Sequence, residues 1–112
     1  MKRFDDKNLT LETAAAAFSA LGSEQRLGVL QTLVRAGDEG LSIGELGKRT
    51  GVTGSTLTHH LKFLTAAGLV EQAKHGRSII CAAVAYDQIR ALSEFLLANC
   101  CADAPNQDHN HG

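Results

Sequence analysis

Apolar residues recur with a helical period in most of the stretch from Thr10 to Leu97, and with a strand-like pattern in one part of it. Leu11, Ala14, Phe18 and Leu21 predict a first helix from Thr10, with alanines between them that let another helix approach closely. Gly22 breaks it, and Ser23 caps a second helix with Glu24 in its first turn. Leu27, Leu30, Leu33 and Val34 give that helix a buried stripe, which stops at Gly37. Asp38-Glu39-Gly40 is a turn. Ser42 caps a short helix, IGELGKRT, with Ile43 and Leu46 inward, ending at Gly51. After the turn Val52-Thr53-Gly54, Thr53 is placed to cap a helix over 54–66, which Gly68 closes. Leu69 to Ala73 and Ser78 to Ala85 predict two strands around the turn Lys74-His75-Gly76-Arg77. Asp87 then caps a last helix, QIRALSEFLLANCC, with Ile89, Leu92, Phe95 and Leu96 on its apolar face. The fold class is mainly α with a small β-hairpin, in the order α-α-α-α-β-β-α.

The helix over 54–66 has two distinct faces. Counted from Ser55 at 100° per residue, Leu57, Leu61 and Leu64 fall at about 200°, 240° and 180°. Ser55, His59 and Lys62 fall at about 0°, 40° and 340°, with Thr56 and Thr58 on the flanks. A solvated face usually carries acid–base pairs one turn apart, and this one has no acid. Short hydroxyls let a helix approach base edges, and His59 and Lys62 reach further out. His60, at about 140°, lies at the edge of the buried face and reads as structural. A short helix, a tight turn and a reading helix followed by a basic-tipped hairpin form a winged helix-turn-helix, in which Arg77 is the choice for phosphate or minor-groove contact.

Composition changes this picture little, and charge refines it. The chain has 112 residues, 44% of them hydrophobic, enough for one domain with a small core. Net charge is -1, which by itself disfavours a nucleic-acid partner. The distribution favours one, because residues 42–77 hold Lys48, Arg49, Lys62, Lys74 and Arg77 against Glu45 and Glu71. No nucleophile–base constellation points to an enzyme. Residues 1–8 lack the apolar run of a signal peptide and read as a flexible N-terminus. The polar tail 102–112 reads as disordered, leaving 9–101 as the DNA-binding and dimerisation domain. No apolar run is long enough to span a membrane, so a cytoplasmic protein is expected. There thiols stay reduced, and Cys81, Cys100 and Cys101 are expected as thiols, ligands or redox groups rather than structural disulfides.

The segments LGSEQRLGVLQTL, LSIGELGKRTGVTGSTLTHHLKFLTAAGLVE and HGRSIICAAV resemble the ArsR/SmtB family of bacterial winged helix-turn-helix repressors, over about Leu11 to Asn99. The resemblance implies a homodimer built on the first and last helices. It also implies a palindromic double-stranded operator, a reading helix at 54–66, and release from DNA when an inducer binds.

Inducer sites vary within this family. The helix before the turn, IGELGKR, lacks the Cys-x-Cys pair of one group of metal sensors. The last helix retains only Asp87 of the Asp and His pairs of another. Cys100-Cys101 resembles a further subgroup that senses trivalent arsenic at the end of the last helix. As(III) is soft and takes thiolates in a three-coordinate pyramid. Two thiols suit a monosubstituted organoarsenical such as methylarsenite, whereas arsenite or antimonite wants a third. Cys81 is the other cysteine, either that third ligand or a small buried residue of the strand. His109 and His111 in the tail are further metal-binding candidates. On a helix, neighbouring residues point about 100° apart, so both sulfurs reach one atom only if the helix ends near Asn99-Cys100. A thiol-based redox or sulfur-species sensor is the alternative use of the same residues.

Overall fold

The computed structural model describes residues 9–105. The expected flexible segment 1–8, and the part of the tail from 106 onward that carries His109 and His111, lie outside the described residues.

The elements run α1 (Leu11–Ala20), α2 (Glu24–Ala36), β1 (Leu41–Ser42), α3 (Ile43–Thr50), α4 (Gly54–Ala66), β2 (Val70–His75), β3 (Ser78–Ala83) and α5 (Tyr86–Leu97). The expected order is present with one addition. Leu41 and Ser42 pair antiparallel with Cys81 and Ile80, so the hairpin becomes a three-stranded sheet in the order β1-β3-β2. Two residues are too short to display a period-two pattern, so β1 left no trace in the sequence.

Local chemistry sets most boundaries. Thr10, Ser23 and Ser42 accept backbone N–H bonds from Thr13, Arg26 and Glu45, closing the first turns of α1, α2 and α3. Gly37 and Gly51 end α2 and α3. Gly40 has a φ of 70°, and a Cβ there would collide with the Cys81 carbonyl. That close approach lets β1 lie against β3.

The core is formed by Val29, Leu30 and Leu33 of α2, Leu46 of α3, Leu57, Leu61 and Leu64 of α4, Leu69 just before β2, and Val70 and Cys81 of the sheet. Two expected stripes are rotated from their predicted positions. In α1, Ala14, Ala17 and Ala20 are buried, while Leu11 and Phe18 are exposed. The small alanines allow α1 to sit tightly on the core, leaving the large side chains outside. In α2, Leu27 and Val34 are exposed, and Val29 takes a buried place.

The last helix also differs. It begins at Tyr86 with Ala85 as its cap residue, and Asp87 lies inside its first turn rather than capping it. It ends at Leu97, four residues before Cys101, because Ala98 turns extended (ψ 135°). Ala91 and Leu92 are its buried residues, Ile89 and Phe95 are half-buried, and Leu96 is 67% exposed.

Candidate nucleic-acid interface and thiol pair

The turn between α3 and α4 is fixed by local bonds. The Gly51 amide donates to the Gly47 carbonyl at 2.8 Å, and the Val52 amide to Thr50 Oγ1 at 3.2 Å. Val52 packs on the core, which seats the start of α4. Thr53 is the cap residue, as expected, but its side chain makes no capping bond. The first amides of α4 therefore keep their donors and their share of the helix dipole toward the outside, an arrangement suited to anions.

The two faces of α4 separate as the angular count predicts. Leu57, His60, Leu61 and Leu64 are buried, and Ser55, Thr56, Thr58, His59 and Lys62 are all exposed. Thr58 Oγ1 donates to the Gly54 carbonyl at 3.3 Å, which ties its hydroxyl to the helix. Lys48 and Arg49 are exposed at the end of α3, where Arg49 Nε meets Glu45 Oε2 at 3.1 Å.

The hairpin pairs Val70 with Ala83 through to His75 with Ser78, leaving Gly76 and Arg77 as a two-residue turn. Gly76 has a φ of 61°, the positive value that the first position of such a turn requires. β2 thus extends further toward the tip than expected, taking in Lys74 and His75, while β3 starts at Ser78 as expected and ends at Ala83, two residues early. Arg77 is exposed and lines a shallow groove of about 420 Å³ with Ser42, Gly44 and Ile79, beside the start of α3.

His60 has the structural role expected of it. Its Nε2 lies 2.8 Å from Gln25 Oε1 and bridges α2 to α4; with a carbonyl partner, Nε2 must be the donor. Burial, then the charge of Arg26, then His59, lower its pKa, so the ring is held neutral.

Sequence reasoning missed a second contact between these helices. The Arg26 guanidinium lies 4.6 Å over the Phe63 ring, and Arg26 Nε donates to the Ala20 carbonyl at 2.7 Å. Phe63 meets the His59 ring edge-to-face at 4.9 Å and 82°. The available signal was angular: Phe63 falls at about 80°, next to His59 and away from the leucines.

The thiol pair lies just beyond α5. Asn99 and Cys101 adopt left-handed φ values of 65° and 61°. The Cys100 amide donates to the Leu97 carbonyl, and the Ala102 and Ala104 amides to the carbonyls of Asn99 and Cys101. The segment is a hydrogen-bonded series of turns that removes the helical divergence of the side chains. Cys100 Sγ and Cys101 Sγ lie 3.5 Å apart, and both residues are half-buried. For a metal–thiolate bond of about 2.3 Å, that separation subtends roughly 100° at a shared atom, a pyramidal angle. Burial first, then the hydrogen bond and charge of Cys101, raise the Cys100 pKa.

Cys81 is a thiol fully enclosed in β3, and Gln72 Nε2 donates to its sulfur at 3.5 Å. Burial raises its pKa despite that bond. Among the described residues, no group of three His, Cys, Asp or Glu side chains is gathered to hold a metal ion.

A helix-turn-helix domain family matches residues 21–73. The HTH-type transcriptional regulator YceK of Bacillus subtilis (strain 168) is 37% identical over 78 residues, covering 70% of this chain and 72% of that protein. The chain belongs to the ArsR-type winged helix-turn-helix transcriptional regulators. An ArsR-like transcriptional regulator from Rhodococcus sp. RHA1 is 28% identical, with a TM-score of 0.62 over 86% of this chain and 96% of its own. The homodimeric winged helix-turn-helix DNA-binding domain Mb0332 from Mycobacterium bovis shares the fold, with a TM-score of 0.66 over 96% of this chain and 97% of its own, at 21% identity. An ArsR-type chain is a DNA-binding regulator and not an enzyme. No helix among the described residues is long and apolar enough to cross a membrane.

Proposed function

We propose that this chain is a homodimeric, cytoplasmic repressor that leaves a palindromic operator when Cys100 and Cys101 bind a trivalent arsenical. The observation that carries the reading is the 3.5 Å separation of the two sulfurs in a turn outside the helix. The donor set is soft, and the angle it offers suits three-coordinate As(III). The exchange balances without an oxidant. Each thiol proton leaves with an arsenical hydroxide as water, and two As–S bonds replace two As–O bonds. With methylarsenite, carbon keeps the third position and two thiols suffice. Arsenite or antimonite would retain a hydroxide there or recruit Cys81, whose burial in β3 makes that recruitment costly.

On the output side, Ser55, Thr56, Thr58, His59 and Lys62 of α4 enter the major groove. Arg77 at the wing tip contacts phosphate or the minor groove. Leu11 and Phe18 of α1 and Leu96 and Leu97 of α5 are apolar and exposed, a surface suited to a second copy. The thiol pair is separated from α5 by two residues, so ligation there reshapes the dimer seam and with it the spacing of the two reading helices. Coupling of about 1–3 kcal/mol is typical and would lower operator affinity five- to 150-fold.

The test titrates the protein–operator complex with arsenite, methylarsenite and antimonite. Wild type should dissociate, and the Cys100→Ser/Cys101→Ser double variant should not. An equal response from both would sink the reading.

A thiol-redox sensor is the second reading, favoured by the same short sulfur separation. The strained ring that a disulfide between adjacent cysteines must close weighs against it. Mass spectrometry after peroxide or persulfide treatment separates the two.

A further inference from the structure

We infer that Arg26 and Phe63 are positioning residues that hold the His59 imidazole in one orientation on the exposed face of α4. The inference rests on the reading of that face as the DNA-contacting one. His59 is exposed, and an exposed imidazole on a helix samples several rotamers, whose loss is an entropic cost of binding. Here its ring abuts Phe63 edge-to-face at 4.9 Å. Phe63 is 44% exposed, so it does not act as a core side chain. What it offers is a flat wall one helical turn beyond His59. Phe63 is in turn covered by the Arg26 guanidinium at 4.6 Å, a charge that persists at any working pH. Arg26 is half-buried and anchored through Nε to the carbonyl of Ala20, the last residue of α1. The chain Ala20–Arg26–Phe63–His59 thus fixes a reading side chain from the junction of α1 and α2, outside the helix-turn-helix itself.

This arrangement predicts an effect on sequence discrimination that passes through His59. The probe is a duplex enriched from a random-sequence library by the wild-type protein, with a scrambled duplex as reference. The ratio of the two affinities is the readout, which cancels the loss of the Arg26 charge from general binding. Phe63→Leu and Arg26→Gln should each lower that ratio about five- to tenfold with His59 in place, and by less than about twofold in a His59→Ala background. Phe63→Tyr, which keeps the wall, should retain the ratio. Circular dichroism and thermal midpoints verify that each variant is folded; should Arg26→Gln unfold, Phe63→Leu carries the cycle alone. A loss of the same size in both backgrounds, or no loss from Phe63→Leu while His59→Ala loses discrimination, overturns this inference alone. An unchanged ratio in His59→Ala overturns the reading of the face, and this inference with it.

Discussion

Gln25 Oε1 and His60 Nε2 lie 2.8 Å apart and join α2 to the buried side of α4. Burial of the ring first, then the nearby charge of Arg26, then His59, favour neutral His60. A histidine whose folded pKa lies below its ordinary value of 6.5 binds fewer protons folded than unfolded as pH falls past that value. The stability it contributes is therefore present above 6.5 and is lost as pH falls through the folded pKa. Urea unfolding at a series of pH values should show stability declining on the acid side. His60→Gln, which keeps a polar group of similar size, should decline less steeply. Parallel curves for the two proteins would show that His60 is not the titrating group.

The exposed face of α4 and the tip of the wing make separable contributions to binding. His59→Ala or Ser55→Ala should weaken binding to the operator by about 1–3 kcal/mol while changing random DNA little. Arg77→Ala should weaken both alike and reduce the slope of log affinity against log salt by about one unit. Fluorescence anisotropy at several salt concentrations measures both. Equal losses on the two duplexes for His59→Ala would count against base readout.

Features set by neighbouring residues were legible in the sequence, and features set by distant ones were not. Ser23 and Ser42 cap their helices through bonds three residues away, and the faces of α4 follow from its period alone. The stripes of α1 and α2 were misplaced because periodicity marks apolar residues without saying which surface covers them. Leu11, Phe18, Leu27 and Val34 are periodic and yet exposed. The end of α5 was hidden because Ala98 and Asn99 carry no glycine or proline signal. Asn99 reaches the left-handed region that its short polar side chain tolerates. Arg26 could not be connected to Phe63 by any local rule, since 37 positions separate them. The thiol pair was visible as residues, but its geometry depends on where the helix stops.

Gly40 should be nearly irreplaceable. Its left-handed φ of 70° costs a residue with a Cβ about 1–2 kcal/mol, and that Cβ would also strike the Cys81 carbonyl in β3. Gly40→Ala should lose more than about 2 kcal/mol of stability, because the pairing of β1 with β3 must shift as well. Gly44→Ala, on α3 with open space around it, is the control and should change stability by less than about 1 kcal/mol. Denaturant midpoints of the two variants decide it. A Gly40→Ala protein as stable as wild type would mean that β1 tolerates displacement.

α1 and α5 leave an apolar surface suited to a second copy of the chain. Leu96 is 67% exposed and Leu97 54%, and Leu11 of α1 is 76% exposed. Burying one leucine contributes about 1.5–3 kcal/mol. In a twofold-symmetric dimer every such contact occurs twice, so one substitution removes two. Leu96→Glu should therefore weaken the dimer by roughly 3–6 kcal/mol, or about 10²- to 10⁴-fold in its dissociation constant, with carboxylate desolvation adding to the loss. Its own fold should hold, because this side chain lies outside the core of the chain. Sedimentation equilibrium of wild type and variant across a range of concentrations measures the shift. A variant that dimerises as tightly as wild type would place the seam elsewhere. A variant that becomes monomeric but stays folded should also bind half of a palindromic site with the affinity of one reading helix alone.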